Sequence, residues 1–252
     1  MYLYLFDSFL AKKKYKKILD RIETRITDLE ISGRIIRLTI LENIQEIVRD
    51  ALKKGVETFI AVGNDRTLCE TATSLMGSEA TVGFIPIGER TKLARILGLP
   101  KEEMACEVIS ARLTEEIDLA KVNNYFFLSS IKINNPKIII SSDNYKIYLS
   151  QKINEVRISN LDEVSKRFAN PKDGFLEVNL YRPSSSFFSF LKLSKEKIVD
   201  SVFFLKKLKI ESLKRKKEIP ALIDNWRILK TPLEIEITPY KLKVIVGKER
   251  YF

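Results

Sequence analysis

Residues 58–76, TFIAVGNDRTLCETATSLM, decide the fold. The run Thr58 to Val62 is mostly apolar and does not alternate with polar residues, which marks a strand buried on both faces of a parallel sheet. Gly63 follows, and a helix is predicted from about Thr67 to Met76. The same strand-then-helix unit recurs on either side. Residues 2–6 form a short apolar strand. From Leu10 to about Leu29, Ile18, Leu19, Ile22, Ile26 and Leu29 share one helical face opposite the lysines. Gly33 ends that helix, and residues 34–40 read as the next strand. Thr39 and Glu42 have capping-box spacing ahead of Ile44, Ile47, Val48, Ala51 and Leu52, a stripe closed by Gly55. Residues 82–87 give a further strand, and a helix from Thr91 to Leu97 is capped by Gly98. This β-α-β-α-β-α-β order predicts a parallel sheet covered by helices on both faces.

Beyond about residue 112 the period changes. Residues 131–133, 137–141, 145–149, 155–158, 176–181, 202–210, 233–237 and 242–246 mostly read as short strands. Asn134-Asn135-Pro136, Pro171-Lys172-Asp173-Gly174 and Thr238-Pro239 supply turns between them. Many short strands at this spacing predict an antiparallel sandwich or barrel, and the sandwich is the expectation taken forward. The expected fold is therefore an α/β domain over 1–112 followed by a C-terminal antiparallel β-sandwich domain over 113–252.

Composition narrows the chemistry. The 252 residues are 45% hydrophobic and 31% charged, enough for a real core. No apolar run reaches the roughly 20 residues of a membrane-spanning helix. The first residues, MYLYLFDSFLAKKKYKK, place the apolar stretch before the lysines, the reverse of a signal peptide. Cys69 and Cys106 offer neither a disulfide framework nor metal-ligand spacing, which fits a cytoplasmic protein. There is no histidine. That removes the usual general base, the usual zinc ligand and every catalytic arrangement built on histidine. The net charge of +11 is uneven, with 18 Lys+Arg against 16 Asp+Glu in residues 1–112 and 26 against 17 in residues 113–252. The basic second half suggests an anionic partner such as phosphate, acidic lipid or nucleic acid.

Ligands of an open parallel sheet bind at the carboxyl ends of its strands. Two such ends stand out, Gly63-Asn64-Asp65-Arg66-Thr67 and Gly88-Glu89-Arg90-Thr91-Lys92, each running from a strand into a helix. Backbone N–H groups at a helix N-terminus hold phosphate, and glycine lets the ligand approach. A plain strand-to-helix turn has the same pattern.

These stretches resemble the diacylglycerol-kinase group of lipid kinases. Gly63 to Thr67 is similar to the GGDGT motif of the diacylglycerol-kinase and NAD-kinase superfamily. Phe84 to Pro100, with Gly88, Ala94, Arg95, Gly98 and Pro100, resembles the lipid-kinase stretch IPLGTGNDFARxLGIP, which the NAD-kinase branch lacks. Ile117-Asp118-Leu119 with Val122-Asn123 resembles the start of the family's β domain. Lys172 to Val178 resembles its DGxLDV turn, and residues 231–246 resemble its final strands. The resemblance implies ATP and Mg2+ as cofactors and transfer of the γ-phosphoryl group to a lipid hydroxyl. It places Thr39, Gly63, Asn64, Asp65, Arg66, Thr67, Gly88, Glu89 and Arg90 at the nucleotide, Asp65 near its phosphates or metal as a catalytic residue, and Asp173 at a metal or structural site.

The departures from the family pattern fall on its chemistry. Asn64 and Arg66 replace two glycines, and Glu89, Arg90, Thr91 and Lys92 replace Thr-Gly-Asn-Asp. Arg66 and Arg90 either block phosphate or supply it with cations. Only Asp7-Ser8 stands where the family has a glycine-rich loop after its first strand. Near the C-terminus, Trp226 in Ile223-Asp224-Asn225-Trp226 occupies the position of the glutamate that resembles a general base. Tryptophan cannot take that proton. Asp224, one pleat away, is the candidate that stands in. Two functional readings follow: a lipid kinase of weakened activity, or a pseudokinase of the same fold that binds nucleotide, lipid or a protein partner. Phe187, Phe188, Phe190, Phe203 and Phe204 beside Lys214-Arg215-Lys216-Lys217 suit a peripheral contact with an anionic membrane surface. They also suit single-stranded nucleic acid, although no recognisable nucleic-acid module is present and no such partner is expected.

Overall fold

A computed structural model describes residues 1–89, 91–134, 136–164, 167–183, 197–214 and 217–252. The chain divides into two compact units, one of Met1–Ile117 with Tyr240–Phe252, the other of Asp118–Pro239.

The first unit is the α/β half. Strands β1 (Tyr2–Phe6), β2 (Gly33–Arg37), β3 (Thr58–Gly63) and β4 (Thr81–Pro86) pair in parallel in the order β2-β1-β3-β4. Every residue of β3 is buried, as its unbroken apolar run requires. Helices α1 (Lys16–Asp28), α2 (Ile44–Lys53), α3 (Asp65–Ser74), α4 (Lys92–Ile96) and α5 (Ala105–Ala111) complete the unit. Alternate strand residues Tyr4, Phe6, Ile60, Val62 and Ile85 form one core with Ile22 and Ile26 of α1 and Cys106 and Ile109 of α5. The intervening residues Leu3, Leu5, Phe59 and Phe84 point to the other face and are also fully buried.

Local chemistry adjusts the predicted boundaries. The stretch from Leu10 is not all α-helix: Ser8–Ala11 and Lys13–Tyr15 are short 3-10 turns before α1 starts. Asp7 caps the first of them by accepting from Phe9 N at 3.1 Å. Thr39 does not cap α2. Asn43 does, accepting from Gln45 N at 2.9 Å, while Glu42 reaches back to Thr39 N at 2.6 Å and closes a separate turn. Helix α3 begins two residues earlier than expected because Asn64 caps it. Helix α5 had no signal in the sequence reading, since no side chain caps its start.

The second unit is antiparallel, as its alternation predicts. It contains most of β5 (Thr114–Val122), then β6 (Tyr125–Phe127), β7 (Ser130–Asn134), β8 (Ile138–Ser141), β9 (Lys146–Tyr148), β10 (Glu155–Ser159), β11 (Glu163–Val164), β12 (Arg167–Phe168), β13 (Leu176–Pro183), β14 (Lys197–Leu205), β15 (Lys207–Ser212), β16 (Pro220–Ile223), β17 (Arg227–Lys230) and the start of β18 (Leu233–Ile245). One sheet has the order β14-β13-β10-β7-β16-β17, and β18, β15, β8 and β9 pair in sequence elsewhere in the unit. Their inner residues, among them Ile131, Ile133, Val156, Ile158, Val178, Leu208, Ile210 and Ile235, share one core. The run expected as one strand over 202–210 is two, broken at Lys206. The two strands expected on either side of Thr238-Pro239 are instead one strand, β18.

The sequence reading put all of 113–252 in the second domain. In the structure residues 240–252 belong to the first unit, because Lys243 and Val244 pair in parallel with Thr81 and Val82 of β4. Ile245 then enters the core of that unit. Parallel pairing over such a separation leaves no local trace in sequence.

Candidate functional site

At the carboxyl ends of β1, β3 and β4, Asp65 links the two candidate motifs, and Asp7 ties the end of β1 to the first of them. Asn64 is the N-cap of α3: its Oδ1 accepts from Arg66 N at 3.0 Å and Thr67 N at 3.4 Å. The Thr67 hydroxyl accepts from Asn64 N at 3.3 Å, which completes a capping box. The same hydroxyl donates to Asp7 Oδ2 at 2.5 Å. Asp7 is itself fixed by its backbone N–H, which donates to Val62 O at 2.9 Å. Sequence reasoning saw Asp7 only as the remnant of a missing loop. Its signal was a lone carboxylate directly after the first strand.

Gly63 is required at this crossing whether or not a ligand approaches it. A Cβ there would lie 2.6 Å from Thr67 Oγ1 and 2.9 Å from Asp7 Cβ. Gly88, at φ +80°, turns the chain out of β4 beside Tyr15 and Phe9. Glu89 follows it in an exposed turn, and Arg90 lies outside the described residues.

Asp65 joins the motifs. Its Oδ2 accepts from Lys92 N at 2.8 Å and its Oδ1 from Leu93 N at 3.0 Å. A carboxylate on α3 thus satisfies two of the first N–H groups of α4, which no side chain at Thr91 caps. Arg66 points outward, with its side chain 59% exposed, and pairs with Glu70 at 3.0 Å. Thr39 is exposed at the end of β2, engaged with Glu42.

The remaining candidates belong to the second unit. Asp224 is 5% exposed and sits in the tight turn between β16 and β17 at φ +49°. Its carboxylate accepts from three backbone N–H groups, Leu128 at 3.0 Å, Ser129 at 2.7 Å and Ser130 at 3.2 Å. Both oxygens accept from the backbone of residues 128–130, an arrangement that pins that loop. Trp226 is half-buried, and the Arg227 guanidinium lies 4.6 Å from its ring centroid and 4.3 Å from that of Tyr125.

Asp173 occupies its expected turn, where its Oδ1 accepts from Phe175 N at 2.9 Å. Burial pushes its carboxyl above the ordinary value, opposed by the bond from Phe175 and reinforced by the negative charges of Asp118 and Glu177. Those neighbours are engaged: fully buried Asp118 accepts from Gly174 N at 2.9 Å, and Glu177 holds Arg167 through bonds of 2.7 and 2.6 Å. Among the described residues, no three cysteine or carboxylate side chains form a group able to hold a metal ion. No described helix is long and apolar enough to cross a membrane. Of the aromatic and basic cluster, residues 184–196, Arg215 and Lys216 fall outside the described residues, while Phe204 is 54% exposed on β14.

Comparison with known proteins places this arrangement. The probable lipid kinase YegS-like of Pseudomonas aeruginosa is 36% identical over 87 residues, 34% of this chain and 29% of that protein. The diacylglycerol kinase of Bacillus subtilis is 29% identical over 85 residues, 32% of this chain and 28% of that protein. These matches span under a third of the relatives' own length. A diacylglycerol kinase structure from Bacillus anthracis superposes with a TM-score of 0.78, covering 99% of this chain and 97% of that one at 19% identity. A family model described as the diacylglycerol kinase catalytic domain matches residues 2–122. Over residues 2–122 the chain is thus similar to the diacylglycerol kinase catalytic domain, and along its length it shares the fold of that diacylglycerol kinase structure.

Proposed function

We propose that this chain is a catalytically silent member of that family, a pseudokinase that acts by binding and not by turnover. The observation that carries the reading is the internal bonding of the first motif. The two N–H groups of α3 that would receive a phosphate, those of Arg66 and Thr67, are taken by the Asn64 side chain. Both oxygens of Asp65 are taken by the backbone of α4. As they stand, these groups do not fit ATP and Mg2+ without displacing a cap at each of two helices. Asp224 does not replace the base lost to Trp226, because its carboxylate is buried against three backbone donors.

A second reading, a weakened lipid kinase, is favoured by one specific observation. Gly63, Asp65, Thr67 and Glu70 keep the family's residue types. Phosphoryl transfer rests mainly on positioning and charge neutralisation, so some rate survives motif erosion. Loss of a general base lowers a typical rate of roughly 1–100 s⁻¹ by about 100- to 10,000-fold. In the silent reading the ligand class is a lipid or anionic membrane surface, and in the weakened-kinase reading it is nucleotide together with that lipid.

The test has two arms. Transfer of labelled phosphate from Mg-ATP to diacylglycerol in mixed micelles should not exceed the protein-free blank. Turnover near 1 s⁻¹ or above overturns the silent reading, and a slower but saturable rate selects the weakened kinase. In the second arm, the N64G/R66G double variant should gain thermal stabilisation by Mg-ATP that the parent lacks. A ligand at 100 times its dissociation constant contributes about 2.7 kcal/mol. Equal stabilisation of both proteins would show that Asn64 does not occupy the phosphate position.

A further inference from the structure

The first unit holds a cavity beside α4. It measures about 490 Å³ and lies between the loop that follows α4 and the tail after β18. Leu99 and Val108 contribute an apolar floor, Tyr251 lends an aromatic wall, and Arg95, Lys101 and Lys248 stand around it with Glu249 as the one acid. The Arg95 guanidinium lies 5.7 Å from the Tyr251 ring centroid. Among the described residues, neither Lys101 nor Lys248 has an ion-pair or hydrogen-bond partner for its ammonium group.

The walls are fixed. Gly247 N donates to Leu97 O at 2.8 Å and Tyr251 N to Ile96 O at 3.1 Å, so the tail is hydrogen-bonded to the end of α4. Gly98 and Gly247 cross so closely that a Cβ on Gly247 would lie 1.8 Å from Gly98 O, and one on Gly98 would lie 2.7 Å from Arg250 N. Two glycines are therefore spent on holding the tail against the loop that forms the other side of the cavity. A preformed cavity of this size with an apolar floor and a few charged groups has the make-up of a small-molecule site. Lys101 and Lys248 against one carboxylate leave it short of negative charge, and an apolar floor leaves it short of hydrocarbon.

We propose that this cavity is a binding site for a small anionic amphiphile, an oxyanion head such as a phosphomonoester carried on an apolar body. The head sits among Lys101, Lys248 and Arg95, and the body covers Leu99 and Val108. The proposal does not rest on the pseudokinase reading, because no group of the Asp7, Asn64 and Asp65 cluster takes part.

The test is displacement of the fluorescent probe 8-anilinonaphthalene-1-sulfonate by three competitors: octyl phosphate, inorganic phosphate and neutral octyl glucoside. It is run on the full chain, on K101E/K248E and on K53E/K54E. The last pair lies on or just after α2 with the same change in net charge. Octyl phosphate should displace the probe from the parent and from K53E/K54E, and at least about tenfold less well from K101E/K248E. Phosphate alone or octyl glucoside alone should each compete more weakly. Equal competition in all three proteins would mean non-specific attraction by net charge and would overturn the site. Full competition by phosphate alone would overturn the amphiphile and leave a bare anion site. Circular dichroism of each variant guards against misfolding. If K101E/K248E does not fold, the uncharged K101Q/K248Q pair takes its place, with the same weakening expected and unchanged competition overturning the proposal.

Discussion

Replacing Asp224 by alanine removes a carboxylate that is 5% exposed and strands three backbone donors, at Leu128, Ser129 and Ser130. A buried donor left without a partner costs about 1–3 kcal/mol. The three are adjacent and share one acceptor, so they do not add fully, and about 3–6 kcal/mol is expected for the set. Alanine must also adopt the left-handed backbone at φ +49° that aspartate tolerates, for about 1 kcal/mol more. The total of about 4–7 kcal/mol is comparable with the whole stability of a typical domain. Asp224→Asn keeps the shape but turns an amide N–H₂ toward at least one of the donors, for about 1–3 kcal/mol. The order of stability is therefore parent, then Asn, then Ala. Urea titration monitored by Trp226 reads this directly, because Trp226 is the single tryptophan and lies two residues from the substitution. At roughly 2–4 °C per kcal/mol, the alanine variant should melt at least about 8 °C below the parent. If both variants stay within about 0.5 kcal/mol of the parent, Asp224 is not the pin described, and its carboxylate is available for chemistry after all.

Asp65→Ala should raise hydrogen exchange at the Lys92 and Leu93 amides by about tenfold or more while the amides of β3 stay protected, as read by exchange mass spectrometry. Asp173→Asn retains an acceptor for Phe175 N and removes a charge that burial disfavours. Because the folded carboxyl titrates above its unfolded value, its stability contribution is full below the unfolded pKa and is lost as pH rises through the folded one. The variant should therefore melt higher than the parent at pH 7 and equal to it below about pH 3.5. Burial pushes the Cys106 thiol up to about 12, and Cys69 is buried as well. Neither should react with a thiol reagent at pH 8 until denaturant is added, and rapid labelling of the native protein would contradict the packing of α3 and α5.

The parallel half was legible because burial writes itself into sequence as an unbroken apolar run. Thr58 to Val62 could not be an alternating surface strand, and Gly63 with Asn64 marked where it turned. The capping role of Asn64 was also readable in principle, since asparagine three residues before threonine is capping-box chemistry. The family resemblance sets that asparagine against a glycine, which hides its capping role. The clamp from Asp65 to Lys92 and Leu93 was not readable. It depends on backbone N–H groups, which every residue offers alike, at a separation of 27 positions. The same holds for Asp224 and the loop at 128–130, where the sequence showed a carboxylate near a catalytic position but not the three donors facing it. Proline lacks the ladder donor, so Thr238-Pro239 reads as a turn in sequence. It is accommodated within β18 instead, since only part of that long strand pairs with β15.

The return of the chain to its first unit also sets a schedule for synthesis. Residues 1–117 carry four strands of the parallel sheet, yet the fifth, around Lys243 and Val244, leaves the ribosome only after the whole of Asp118–Pro239 has been made. At about 5–20 residues per second, those 122 residues take roughly 6 to 24 s. For that interval β4 is an open edge on a growing polypeptide, with the core around Ile60, Ile85 and Ile109 still missing Ile245. The half of the molecule that emerges first is the half that finishes last.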